Sequence, residues 1–504
     1  MTIQTMKMFM GVDLGTSSLK AGMFDSDGKE IGFSSVETSI ICSSPGMAEL
    51  NPKIIFQSFL DAVKQCIEKS KISAGNLEAI GLSTQMHSII AIDSQGNCIT
   101  NAIIWADTRA KNQAESLKEK FDYKKMSFNT GCRVIHPAYP LSKILWLREN
   151  EPDLYKKIYK FITIKGYILL RLFGDFFIDY SDAASTGCFN IHSFKWDDYV
   201  MENVLNIAPN KFGEPVKCTN ILKNIKKEYA SYMGLKSNTA FVIGSTDGVL
   251  ANFGSGVFDD NSVSCTIGTS GAIRVTSNKP IIDPLQRTWC YCFEKGIWVS
   301  GGAINNGGLV LKWLGNLCKK QYEHEIKLFN TKNIFKLFDH YASQVNPGSN
   351  GLISLPFLTG ERSPNWNANA VGIIYGLTLM HEKKHIIRSA MEGIIYNIFS
   401  VYKVMSQLNK NIKKIKSSGG YSRSDIWLQI QADVFNKVIE ILSINDAAAL
   451  GASYVAMLAT GAISSFGKEL PVMKLYKIVK PIEKNVEIYE KAYKKFDELN
   501  CLLN

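Results

Sequence analysis

No stretch of the 504-residue sequence is apolar for long enough to cross a membrane. A spanning helix needs about 18 residues almost free of charge. The longest apolar segments here are interrupted, as Phe161–Gly174 is by Lys165 and Arg171. The opening residues, MTIQTMKMFMGVDLG, carry no signal-peptide cleavage pattern and run straight into a strand, so a cytoplasmic location is expected. A cysteine framework is absent too. The eleven cysteines are odd in number and scattered, and only Cys290 and Cys292 lie close together. That excludes a disulfide scaffold or a zinc ribbon and fits reduced thiols. Charge of one sign is not concentrated: the formal net charge is +11, but the lysines of KNIKKEY, NKNIKKIK and YEKAYKKF alternate with acids and aromatics. These are solvated helix faces rather than a nucleic-acid footprint, and a modest positive field favours small anionic substrates. Neither a Walker A loop nor an HRD/DFG set occurs. His381-Glu382-Lys383-Lys384-His385 matches the zinc-peptidase string H-E-x-x-H, yet its two lysines would repel a dication, and it lies where a loop enters a helix.

What is present suits two large domains. Hydrophobic residues make up 46% and charged residues 20%, a normal soluble balance. The first residues read as a β-meander: strand Lys7–Leu14, turn Gly15-Thr16-Ser17-Ser18, strand Leu19–Phe24, turn Ser26-Asp27-Gly28-Lys29. A helical pattern follows at Pro52–Ser70, then strands at Ala79–Ser83 and Ser88–Asp93, and a mostly helical middle from about 110 to 230. A similar pattern restarts near 240, with strand Phe241–Gly244 leading into Ser245-Thr246-Asp247-Gly248. Ser262–Ile267 and Ala272–Thr276 then flank Gly268-Thr269-Ser270-Gly271. DLGTSSLKAGMFD and CTIGTSGAIRVTS thus share a Gly-Thr-Ser turn between two apolar strands, which predicts duplicated lobes. The Gly-rich segment NFGSGVFDDN marks the division, giving domains 1–255 and 256–504. A charged helix at about 483–503 closes the chain.

Several of these turns could carry chemistry. Asp13-Leu14-Gly15-Thr16-Ser17-Ser18-Leu19-Lys20 offers backbone N–H groups and hydroxyls to phosphate oxygens, with Asp13 placed for Mg²⁺ through water. The plainer alternative is a hairpin whose hydroxyls satisfy their own backbone. The second Gly-Thr-Ser turn favours phosphate, since two hairpins can clamp one polyphosphate. Asp247 follows a strand and could accept the proton of an attacking hydroxyl, or simply cap a helix. Gly301-Gly302-Ala303-Ile304-Asn305-Asn306-Gly307-Gly308 precedes an apolar helix, Leu309–Leu314. Gly419-Gly420-Tyr421-Ser422-Arg423-Ser424 follows the strand-like Ile415–Ser418 and precedes another helix. Glycine turns at helix N-termini suit anions or a nucleotide, though glycine also serves ordinary tight turns.

Taken together, these motifs resemble the FGGY family of carbohydrate kinases, within the actin, Hsp70 and hexokinase superfamily, from about Met8 to Gly461. GVDLGTSSLK resembles the family's first phosphate motif, CTIGTSGAI the second and SSGGYSRSD the adenosine motif. YPLSKILWLREN and GIIYGLTLMHEKKHIIRSAMEG resemble its two signature stretches, the first departing at Ala138. The resemblance implies an α/β fold of two actin-like (ribonuclease H-like) lobes with a cleft between them, and ATP and Mg²⁺ as cofactors. It further implies Asp247 as catalytic base, Asp13 at the metal, and Thr16, Ser17, Lys20, Gly268, Thr269, Gly302, Asn305, Gly420, Tyr421 and Ser424 toward ATP. Ser424 stands where the family usually has Asn. Gln85, Met86, His87, Arg109, His136, Asp247 and Gly248 are expected at the sugar. The gluconate kinase branch is the most similar, through WADTRA, VIHPAYPLSKILWL, DYSDAASTGCFNI, WVSGGAINNGGLVLKWL and LTGERSPNWNANAVGIIYGLT. Gln85 is instead the residue that xylulose kinases show, so a xylulokinase is the alternative. A non-catalytic sugar sensor and an actin- or Hsp70-like ATPase are the readings from other classes. Small-molecule sugar and ATP are the implied partners, without nucleic acid or membrane, and the resemblance leaves room for a homodimer.

Overall fold

The computed structural model describes residues 7–71, 74–442, 444–466 and 475–503. The chain forms two compact units: Met1–Phe258 with Thr276–Ser300 and Ile444–Met473, and Asp259–Val275 with Gly301–Ser443 and Lys474–Asn504. By spatial contact the compact units are not contiguous along the chain, since the segments 276–300 and 444–466 lie with the first unit. For the second of these the reason is packing. The helix Ala447–Ala459, AAALGASYVAMLA, is built of small residues and is buried over most of its length. Its backbone lies directly on glycines of the first unit: a Cβ on Gly11 would sit 1.7 Å from the Ala449 carbonyl oxygen, and one on Gly81 2.0 Å from that of Ala452.

The first unit holds a six-stranded sheet in the order Ile221–Leu222, Ala240–Thr246, Leu77–Thr84, Met8–Leu14, Ser18–Asp25, Glu30–Glu37. The last three form the antiparallel meander read from sequence. Met8–Leu14, Leu77–Thr84 and Ala240–Thr246 run parallel. Met8–Leu14 is buried along its whole length, as a central strand covered on both faces must be. The helix Pro52–Ser70 begins where the sequence places it. Asn51 accepts the Lys53 and Ile54 N–H groups, Pro52 fills the first turn without needing a donor, and Lys71 ends the helix at φ 54°. The middle region is helical at Lys111–Lys120, Tyr123–Thr130, Pro140–Asn150 and Ile164–Phe173, with short strand pairs between.

The second unit repeats the plan. Ser262–Ile267 pairs antiparallel with Gly271–Ser277 and parallel with Lys414–Ser418, beyond which Ile439–Leu442 is parallel and Leu475–Val479 antiparallel. The long helix Lys383–Leu408 begins at Glu382, where His385 and Glu382 cap each other's backbone. The two histidines of HEKKH thus serve a turn and a helix start: His381 Nδ1 accepts from the Thr378 N–H at 3.0 Å and His385 Nδ1 from that of Glu382 at 3.0 Å. All eleven cysteines are free thiols. Among the described residues no helix is long and apolar enough to cross a membrane.

Candidate active site

Strand register builds the site of the first unit. Asp13 lies opposite Lys20 on one side and Ser83 on the other. Ser83 in turn lies beside Ser245, and Thr84 beside Thr246. The three parallel strands therefore finish at one edge, and the residues that follow them are Gly15–Ser17, Gln85–His87 and Asp247–Gly248. The carboxyl ends of parallel strands are where open α/β sheets bind ligands. The second unit does the same: Thr266 lies beside Ser418, so Gly268–Ser270 and Gly419–Gly420 emerge together. Gly268, Thr269, Ser270 and Gly420 are exposed, and a Cβ on Gly268 or Gly420 would meet nothing within 4 Å.

Asp13 is buried and accepts a 2.7 Å hydrogen bond from the Ser83 hydroxyl. Burial, followed by the Asp446 and Asp247 carboxylates, pushes its pKa up to about 7, against the pull of Lys20 and Ser83. Lys20 donates to Asp446 at 2.7 Å. Burial lowers the Lys20 pKa, but Asp446 and then Asp13 outweigh that and raise it. Asp446 also caps the Ala447–Ala459 helix, accepting the Ala449 N–H at 2.9 Å. Sequence reasoning missed Asp446 because 426 positions separate it from Lys20; its one local signal was an Asp directly before an alanine-rich helix. Asp247 is the first residue of the helix Asp247–Gly254, with Thr246 as the cap, and it accepts the Gly248 N–H at 2.7 Å. Beneath it, Lys165 pairs with Asp179 at 2.5 Å and donates to the Ser245 carbonyl at 3.1 Å.

The first turn and the Gln85 segment are linked. Thr16 Oγ1 donates to Gln85 Oε1 at 2.9 Å and accepts from Trp105 Nε1 at 2.9 Å. The Thr16 hydroxyl is thus engaged toward Gln85 and Trp105, while Ser17 is exposed. Met86 packs against the core. His87 is buried at φ 65°, a left-handed conformation that costs a non-glycine residue roughly 1–2 kcal/mol. Its Nδ1 lies 2.7 Å from the Ser185 carbonyl, so Nδ1 carries the proton. Tyr139 stands edge-on to both His87 and His136, at 4.7 and 6.4 Å between ring centres. His136 Nδ1 accepts the Ala138 N–H at 3.2 Å. Arg109 is committed elsewhere: Nε reaches both Asp107 oxygens at 3.0 Å, one terminal nitrogen reaches Asp107 and Glu49, and its plane lies 5.1 Å over Trp146. Trp105, with no place in the sequence-based site, was legible only as part of WADTRA.

The residues of the second unit divide. The Gly268 and Thr269 carbonyls accept the N–H groups of Gly308 and Leu309 at 2.7 and 3.2 Å, so the turn is tied to the start of the helix Gly308–Leu317. Asn305 donates to the Thr359 carbonyl at 3.0 Å. Gly302 is buried in strand Ile297–Ile304, where a Cβ would come 2.5 Å from a Val401 methyl, a packing reason for glycine. The Tyr421 ring is buried edge-on to Trp427, its hydroxyl donates to Gln431 at 2.8 Å, and burial pushes that hydroxyl's pKa far up. Ser424 caps the helix Asp425–Phe435 and donates to Asp339 at 2.5 Å. An open face is left at Gly268–Ser270 and Gly419–Gly420, where little side chain covers the backbone.

Model matches settle the family. Residues 8–254 match the FGGY family of carbohydrate kinases, N-terminal domain, and 263–460 match its C-terminal domain. The chain belongs to the FGGY family of carbohydrate kinases. It is an ATP-dependent sugar kinase with the family's two-domain, mixed α/β, actin-like fold. It is 34% identical to the gluconokinase of Bacillus subtilis (strain 168) over 497 residues, 98% of this chain and 96% of that one. The crystal structure of gluconate kinase from Lactobacillus acidophilus is similar at TM-score 0.91 and 32% identity, over 99% of this chain and 98% of that chain. The structure of ligand-bound xylulose kinase from Lactobacillus acidophilus is similar at TM-score 0.90 and 32% identity, with the same coverage. For this FGGY kinase the acidic cluster fits a hard divalent cation. The Asp446 and Asp247 carboxylates raise the proton affinity of Asp13, a repulsion that a dication relieves. Among the described residues no set of three His, Cys, Asp or Glu forms a protein cage. Mg²⁺ in general keeps waters and takes substrate phosphates alongside one or two carboxylates.

Proposed function

We propose that this FGGY kinase phosphorylates gluconate to 6-phosphogluconate, with Asp247 as general base. The observation that carries the kinase chemistry is the convergence of Asp13, Lys20, Asp446 and Asp247 at the end of three parallel strands. Asp247 takes the proton from the terminal hydroxyl as the γ-phosphoryl transfers in line. Lys20, held by Asp446, faces the phosphates, and Asp13 would hold Mg²⁺, which supplies charge neutralisation at the transferring group. Gly268, Thr269 and Gly420 bind the nucleotide through backbone. Tyr421 and Ser424 support that face from within rather than touching adenine, and Gly302 acts through packing.

Support for gluconate is the 34% identity to a gluconokinase over 98% of the chain. One observation favours a neutral ketose instead: Gln85 Nε2 is buried without a hydrogen-bond partner, and an amide N–H there suits a sugar hydroxyl. Steady-state kcat/KM on gluconate, xylulose and glycerol tests the assignment. Gluconate is expected to be best, and a wild-type preference for xylulose overturns the substrate while leaving the kinase. We read Arg109 as a brace on Asp107 and Glu49, so Arg109→Ala should lower kcat/KM for gluconate and xylulose alike. A selective loss on gluconate, on the order of the 10- to 150-fold of one charge-assisted bond, would instead return Arg109 to the carboxylate.

A further inference from the structure

Lys143 lies on the helix Pro140–Asn150 and has no exposed surface. Its ammonium is met by three backbone carbonyls: His87 at 2.7 Å, Ile104 at 2.8 Å and Ile103 at 3.4 Å. An ammonium has three N–H donors and no acceptor, whereas a neutral amine would turn a lone pair on one of these oxygens. The carbonyls therefore select the charged form. Burial lowers the Lys143 pKa to about 7, Asp107 opposes that shift and Arg109 adds to it. The three oxygens take all three ammonium donors while Asp107 adds its charge, so cation and backbone hold each other.

The three carbonyls come from two segments. One follows strand Leu77–Thr84 and presents Gln85, Met86 and His87. The other ends strand Ala102–Ile103 and leads into Trp105, the donor to Thr16. His87 adopts a left-handed conformation that persists only when its surroundings over-determine it. Lys143 fixes its carbonyl, the Ser185 carbonyl fixes its ring nitrogen and Tyr139 stands against its ring. We propose that Lys143 is a positioning residue for the sugar: a buried cation that pins the His87 and Trp105 segments in register and so sets sugar affinity without touching substrate. The inference rests on the sugar-site reading above and adds a residue to it.

Lys143→Met keeps an unbranched side chain, one heavy atom shorter, and removes the donors. The KM for gluconate should rise about 10- to 150-fold, the scale of one lost charge-assisted bond, with the KM for Mg-ATP unchanged. Lys143→Arg keeps a cation and should recover part of the loss. An unchanged sugar KM in Lys143→Met overturns the proposal, and so does a parallel rise in both KM values. If Lys143→Met does not fold, Lys143→Arg decides: a raised sugar KM with normal ATP KM supports the proposal, and wild-type values overturn it. Failure of both variants to fold makes Lys143 a core element only and overturns it too. A wild type inactive on gluconate and xylulose overturns the sugar-site reading, and the inference falls with it; an active wild type with an unaltered Lys143→Met overturns the inference alone.

Discussion

Asp247→Asn should lower kcat by about 10²- to 10⁴-fold, the usual contribution of a positioned general base. The substitution isolates the proton-accepting role. Asparagine has the same shape, its carbonyl oxygen can still accept the Gly248 N–H, and Thr246 rather than Asp247 caps the helix. Lys165 and Asp179, which lie beneath, are untouched. Stability and Mg-ATP affinity should therefore stay at wild-type values while single-turnover phosphoryl transfer collapses. Retention of more than about a tenth of wild-type kcat would sink the assignment, because that loss is smaller than any general base is expected to contribute.

Gly11→Ala should be among the most damaging single methyl additions in the first unit. The added carbon would sit 1.7 Å from the Ala449 carbonyl oxygen and 2.7 Å from its carbon, and both are helix backbone, with no flexible side chain to yield. The helix must move off the sheet, and Asp446 at its start moves with it, away from Lys20. Overpacking typically costs about 1–3 kcal/mol, and a backbone obstacle places this case at or above the upper end. The Tm falls by somewhat less per kcal/mol than the roughly 2–4 °C usual for domains of about 150–250 residues, because the unfolding entropy grows with size. Gly420→Ala is the matched control, since its added carbon meets nothing within 4 Å and should leave Tm where it was. Equal melting of the two variants would refute the close seating of the helix.

The elements of the meander, the helix Pro52–Ser70 and the strand Ser262–Ile267 were legible because each is specified locally. Short apolar runs, a Gly-Thr-Ser turn, and an Asn-Pro helix start act within a few residues of one another. The repeated hairpin also revealed the two-fold plan of the chain, since the same local pattern recurs and both hairpins lie at the centre of a sheet. Residue type alone did not fix where the Tyr421 and Ser424 side chains turn. A tyrosine and a serine after a glycine pair read as nucleotide contacts, but whether a side chain turns outward or into the core depends on partners such as Gln431, Trp427 and Asp339, each on another turn or helix.

By itself the sequence determined the family, the strand–turn–strand units and the identity of the acid that follows the 240–246 strand, because all of these are written in contiguous residues. Only the tertiary structure decided which distant groups meet at those turns. The Lys20–Asp446 pair spans 426 positions, the Thr16–Trp105 bond 89, and the Lys143–His87 bond 56. The pairings follow from the register of parallel strands and from the seating of an alanine-rich helix on glycine. Neither leaves a pattern in any short window, because register is fixed by which faces are buried and a close helix approach by the absence of a side chain on the opposing strand. Arg109 makes the same point: its charge suggested a ligand, and only the fold brings Asp107, Glu49 and Trp146 against it.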